Sequence, residues 1–153
     1  MPFLYTASAA LEDPFLAPLF DACLTGSVAL QGAQDAEFPL LCAEELAVLV
    51  RRIFDSWDGN FETLDVADTF HHASGEVGEA LKALFPGLSV AYGDSAGYAL
   101  PVSDVVRVRY GWFQRYDLLR DLSTIQARWG AGRAKKVNPL RAAIDRIQMC
   151  TLP

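Results

Sequence analysis

Apolar positions recur at intervals of three and four along most of this chain, which is the signature of helices with one buried face. Asp13-Pro14 supplies a capping acceptor followed by proline, and Phe15, Leu16, Leu19, Phe20 and Cys23 then keep helical spacing until Gly26. Residues 26–38 are rich in Gly, Gln, Ala and Asp and read as a loop. The clearest helix spans 39–57, with Leu46, Leu49, Val50, Ile53, Phe54 and Trp57 on its stripe and Asp58-Gly59-Asn60 as its stop. A short helix is expected over 63–73. Another is expected from Ser74 to the stop at Pro86-Gly87, with Val77, Leu81, Leu84 and Phe85 inward.

The remaining third is less uniform. Two apolar runs flank Gly93-Asp94-Ser95-Ala96-Gly97, so 88–100 is the one place where a small β-hairpin is expected. Residues 105–112 satisfy both a period of two and a period of three to four. The helical pattern extends further, through Tyr116, Leu119, Leu122, Ile125 and Trp129, and favours one long helix over 104–129, with Gly111 as its weak point. Gly130-Ala131-Gly132 is read as its stop, and Asn138-Pro139 as the start of a last helix. The expected fold class is therefore mostly α, about six to seven helices with a possible small β-hairpin at 88–100, with α+β as the alternative. No internal repeat or long linker divides the chain, so 1–153 is expected to be a single globular domain.

Charge changes this picture more than composition does. Residues 1–106 hold Arg51, Arg52 and Lys82 against sixteen acids, a net of −13. Residues 107–153 hold ten bases against Asp117, Asp121 and Asp145, a net of +7, which leaves −6 for the whole chain. Either the acidic and basic parts neutralise one another, or a charged face meets a partner. For an acidic face the candidates are Glu44, Glu45, Asp55, Asp58, Glu62, Asp65 and Asp68. For a basic face they are Arg107, Arg109, Arg115, Arg128, Arg133, Lys135 and Lys136. In the second set Tyr110, Trp112, Phe113 and Tyr116 interleave with the arginines, a combination suited to single-stranded nucleic acid, although helical spacing assigns Trp112, Tyr116 and Trp129 to the core. A helix starting at Asn138 could also offer N–H groups to a phosphate.

Other candidate chemistry is thin. Three widely spaced cysteines, Cys23, Cys42 and Cys150, suit neither a disulfide framework nor a zinc site, and fit a reducing, cytoplasmic setting. No apolar run approaches membrane-spanning length, and the absence of any base before Arg51 argues against a signal peptide. Asp68, His72 and Glu76 share helical spacing, but no second cluster completes a metal site, and a solvated polar face is the favoured reading. The stretch Asp55 to Glu62 departs from a calcium loop at its third position, Trp57.

Gly93-Asp94-Ser95-Ala96-Gly97 resembles the nucleophile elbow of the α/β-hydrolases, in particular the esterases related to hormone-sensitive lipase, and that resemblance implies Ser95 as nucleophile. Against it, His71 and His72 both precede Ser95, Pro101 interrupts the helix an elbow requires, and no His-Gly-Gly-Gly loop lies upstream. A turn is the favoured reading of these five residues. With no catalytic constellation in view, the expected function is a non-enzymatic protein-binding regulator, inhibitor or immunity-type protein of bacterial or phage origin. It would set its acidic surface against a basic partner such as a nucleic-acid-handling protein or toxin. A nucleic-acid binder using 107–146 is the alternative, and a serine hydrolase at Ser95 a third. No cofactor, metal or membrane is expected.

Overall fold

A computed structural model describes residues 3–8, 12–60, 63, 64, 66, 70–98 and 104–149, with the backbone alone at Phe3 and over 135–149. Five strands and five helices alternate through these residues. They are β1 (Phe3–Tyr5), α1 (Leu16–Leu24), β2 (Ser27–Gly32), β3 (Glu37–Cys42), α2 (Ala43–Asp55), β4 (Phe70–Ala73), α3 (Ser74–Leu84), β5 (Ser89–Ser95), α4 (Val105–Tyr110) and α5 (Leu118–Met149). The architecture is α/β, which corrects the mostly α expectation. β1 pairs in parallel with β3, and β3 pairs antiparallel with β4. β2 and β5 form a separate parallel pair. Parallel pairing requires long crossovers, and helices α1, α2 and α3 supply them.

The strands were hidden for separate reasons. β3 is buried on both faces from Pro39 to Cys42, so it shows a continuous apolar run rather than an alternation, and it merges with the helix that follows without a loop. β2 does alternate, with Val28, Leu30 and Gly32 turned from the outer face, but small residues and flanking glycines gave it the composition of a loop. β4 occupies the end of the expected 63–73 helix. β5 does not turn back on itself: it pairs with β2, its partners 62 or 63 residues away, so the expected hairpin at 88–100 is absent among the described residues.

Two cores result. Leu16, Phe20 and Cys23 of α1 meet Leu40 and Cys42 of β3, Leu81 of α3, and Leu118, Leu122, Ile125 and Trp129 of α5. Leu41, on the opposite face of β3, packs with Leu49 of α2, Val106 of α4 and Trp112. The second core divides the expected 104–129 helix. Gly111 takes φ +60° and ends α4, and Trp112 then turns inward to 2% exposure, its indole N–H on the Glu45 carbonyl at 2.9 Å. Arg52 donates to the carbonyls of Tyr110 and Gly111, and buried Gln114 donates to those of Leu40 and Tyr116 while accepting from Cys42 N–H. These contacts outweigh local helix propensity over 111–117. Conversely, α5 continues through Gly130 and Gly132. The Trp129 ring lies tilted against Phe20 with centroids 5.3 Å apart, and Arg133 pairs with Asp21 of α1, which anchors the turn where a stop was expected. Asn138-Pro139 therefore lies inside α5 and begins no helix.

Candidate functional site

A cavity of about 510 Å³ lies between the β2–β5 pair and the sheet that holds β3 and β4. Its walls are apolar: Phe15, Pro18, Leu19 and Ala22 from α1, Val28 and Leu30 from β2, Phe38 and Leu40 from β3, Val77 from α3 and Leu118 from α5. Ser27, Gln31, Ser74 and Ser95 bring neutral polar groups, and among the described residues His72 is its one titratable lining residue. All six residues of β2 line it in succession, because β2 has β5 on one side only among the described residues. Gly32 is required at the end of that strand: a Cβ there would collide with the Phe38 ring and the Ser74 hydroxyl. Apolar walls with a few convergent polar groups are the usual makeup of a small-molecule site, and this volume is typical of one.

His72 is set by three elements. It stands in β4, where its ring stacks on Phe70 with centroids 6.4 Å apart. Its Nε2 lies 3.0 Å from Asp117 Oδ1 and its Nδ1 3.5 Å from Glu76 Oε2. Asp117 also accepts the N–H groups of Leu119 and Arg120, so one carboxylate both caps α5 and holds His72. The sequence suggested His72 with Glu76 but gave no sign of Asp117, 45 residues distant. Asp68 lies outside the described residues, and no group of three metal-ligating side chains occurs among the described ones.

Helix N-termini, where phosphates commonly bind, are filled by the chain's own carboxylates. Asp13 is only 2% exposed and accepts the N–H groups of Phe15 and Leu16 at 2.9 and 2.6 Å at the start of α1. Its other oxygen accepts Thr6 N–H and Oγ–H at 2.6 and 2.7 Å. Glu76 reaches back to Ala73 N–H at α3, and Asp117 does the same work at α5. Glu44, in the first turn of α2, accepts the N–H groups of Ala7 and Ser8, the Ser8 hydroxyl and the Cys42 thiol. Burial alone would raise its carboxyl, but those hydrogen bonds hold it down at about 2.

Among the described residues, several charged positions singled out in the sequence pair with opposite charges or turn to the backbone. Glu45 is buried and Glu44 is turned inward on Ser8. Asp55 pairs with Arg51, and Asp58 lies 4.0 Å from Arg109. Glu62, Asp65 and Asp68 are outside the described residues. Arg107 lies 4.0 Å from Asp104, Arg115 sits over the Phe113 ring, Arg128 reaches the Ala7 carbonyl and Arg133 pairs with Asp21. The side chains of Lys135 and Lys136 are outside the described set. Trp112 and Trp129 are core residues, whereas Tyr116 is exposed. Cys23 and Cys42 are buried and free, and burial with the Glu44 contact pushes the Cys42 thiol up to about 11.

No protein-family model matches this sequence, and no curated protein sequence does. Solved structures do match its fold. MoeE5, in complex with UDP-glucose and NAD, aligns with a TM-score of 0.67 at 17% identity over 85% of this chain and 45% of its own. The dTDP-glucose 4,6-dehydratase of Bacillus anthracis, in complex with NAD, aligns at 0.62 and 14% identity, over 84% of this chain and 42% of its own. A GalE-like L-threonine dehydrogenase from Cupriavidus necator aligns at 0.56 and 15% identity, over 85% of this chain and 50% of its own. This chain thus spans half or less of each of these neighbours.

The α/β fold, shared with solved structures that include a dTDP-glucose 4,6-dehydratase and an L-threonine dehydrogenase, overturns the expectation of a helical, non-enzymatic inhibitor, regulator or immunity-type protein. The hydrolase alternative also lacks its elbow: Ser95 ends a strand that continues into coil rather than into a helix, as an elbow would require. Among the described residues no helix is long and apolar enough to cross a membrane.

Proposed function

We propose that this chain forms the substrate-side part of an NAD(P)-dependent dehydrogenase- or dehydratase-type enzyme, and that the 510 Å³ cavity holds the organic substrate. The observation that carries this reading is the cavity's position. In open α/β folds ligands bind beyond the carboxyl ends of the strands. Gly32 and Ser95, which end the parallel strands β2 and β5, line one end of this cavity, which otherwise runs along β2 from Ser27.

The dinucleotide itself does not fit this chain. A dinucleotide-binding unit needs a glycine-rich turn between its first strand and helix, with the pyrophosphate on the helix N-terminus. No Gly-x-Gly-x-x-Gly occurs in the 153 residues. The junction of β1 and α1 holds the Asp13 carboxylate on the very N–H groups a pyrophosphate would take. On this reading the β1–α1 junction of this chain does not hold the cofactor, which would supply the hydride chemistry when bound. Within the chain, the β2 edge and the serines fix the substrate's orientation, and the α1 and α3 faces keep water from its apolar part.

The test is nuclear magnetic resonance of the labelled chain during titration with a panel of organic alcohols and ketones, and separately with NAD. Binding that shifts the amides of Leu30, Val77 and Ser95, with no response to NAD, is the expected result. A panel that leaves those amides unmoved, or NAD binding at the β1–α1 junction, would overturn the reading.

A further inference from the structure

We infer that the cavity takes a phosphate-free, uncharged apolar molecule bearing a hydroxyl or carbonyl, and rejects a nucleoside diphosphate sugar such as the UDP-glucose with which MoeE5 was solved. This inference rests on the reading of the cavity as a substrate site and names the substrate's chemical class.

Three observations combine. First, a diphosphate needs cationic or N–H partners, usually arginine, lysine or a helix N-terminus. Among the described residues no lysine or arginine lines the cavity. The one titratable residue among them that does, His72, already faces the carboxylates of Asp117 and Glu76 at 3.0 and 3.5 Å.

Second, the helix N-termini near the cavity are taken. Asp13 caps α1, Glu76 caps α3 and Asp117 caps α5, so each has its own negative charge where a phosphate would bind.

Third, the surrounding field has the wrong sign for an anion. Residues 1–50, which build α1, β2 and β3, contain seven carboxylates and no lysine or arginine. Where β2 and β5 end, the cavity adjoins an open concavity lined by Asp35, Glu37 and Asp94. Gly32 is followed directly by that concavity's Ala33, and Ser95 is flanked by its Asp94 and Ala96. What remains inside is neutral: the hydroxyls of Ser27, Ser74 and Ser95, the Gln31 amide and the open edge of β2. These suit a hydroxyl or carbonyl, the groups on which a dehydrogenase acts, attached to an apolar body.

The experiment uses three probes in titrations monitored by resonance shifts of Leu30, Val77 and Ser95: 4-phenyl-2-butanone, 4-phenylbutyrate and UDP-glucose. The ketone is expected to bind about tenfold more tightly than the carboxylate at low salt. That ratio should fall to about threefold or less in 0.5 M sodium chloride and in the double variant Glu37→Gln, Asp94→Asn. UDP-glucose at millimolar concentration is expected to leave the cavity unmoved. Equal or tighter binding of the carboxylate, or UDP-glucose binding in the cavity, would overturn the inference while leaving the substrate-site reading intact. If the ketone fails to bind, or binds without moving cavity resonances, both are overturned. The variant Ala22→Trp, which fills the cavity from α1, should abolish ketone binding; an unchanged affinity with wild-type-like spectra counts against both as well.

Discussion

Replacing Asp13 tests the most heavily constrained junction in the molecule. Its two carboxylate oxygens accept four hydrogen bonds, two from the first turn of α1 and two from Thr6, in an environment almost closed to water. In Asp13→Ala the first turn loses its cap, which costs about 1–2 kcal/mol. The Thr6 N–H and hydroxyl lose a charged acceptor while partly buried, which adds about 1–2 kcal/mol. The total is about 3 kcal/mol. With a urea dependence of about 2 kcal/mol per molar for a chain of this size, the unfolding midpoint should fall by about 1.5 M. Asp13→Asn keeps one acceptor but turns an amide NH₂ towards Thr6 N–H, and should lose about half as much. Equilibrium urea unfolding followed by tryptophan fluorescence measures both. An alanine variant within about 1 kcal/mol of wild type would refute the claim that this carboxylate holds the helix N-terminus closed to phosphate.

Three further outcomes follow from separate contacts. Glu44 titrates at about 2 in the native protein and near 4.5 when unfolded, so its contribution is complete above pH 5 and is lost as the pH falls towards 2. Glu44→Gln should flatten that acid limb by about 1 kcal/mol, the carboxylate being partly open to water, and acid titrations of both proteins by circular dichroism will show it. Buried Cys42, its thiol raised to about 11, should resist a thiol-specific disulfide reagent at pH 8 in a Cys150→Ser background and react on unfolding; rapid native labelling of Cys42 contradicts its placement. Gly93→Ala would push a Cβ into the Gln31 backbone across the β2–β5 pair and should cost about 2 kcal/mol or more in urea unfolding, whereas an unaffected variant argues against that strand pairing.

Local signals in the sequence were sound where helix and burial agreed. Of the stripe expected over 39–57, Leu46, Leu49 and Ile53 pack inward while Val50, Phe54 and Trp57 are exposed; the Asp13-Pro14 start of α1 and the core placement of Trp112 and Trp129 are present in the structure. The strands did not follow from spacing, because each depends on a distant partner. Pro39 to Cys42 becomes a strand by burial on both faces, and Ser89 to Ser95 by pairing with a segment near the chain's beginning. The cavity was illegible for the same reason: α1, β2, β3, β4, α3, β5 and α5 all contribute to it. Charge asymmetry misled in another way. Carboxylates counted as an outward face, such as Glu44 and Glu45, are turned to backbone groups and the core, and Asp58 lies beside Arg109 of the basic segment. Even so, the absence of any base before Arg51 proved informative, because the region it describes builds most of the cavity wall.

The central claim is that a neutral apolar ligand enters the cavity between β2 and β3. The competing location is the exposed apolar surface of α2 and α4, where Val48, Val105 and Val108 face water. Intermolecular nuclear Overhauser effects between the aromatic protons of 4-phenyl-2-butanone and assigned methyl groups separate the two. Contacts to Leu19, Leu30 and Val77 are expected. Contacts confined to Val48, Val105 and Val108 would contradict it.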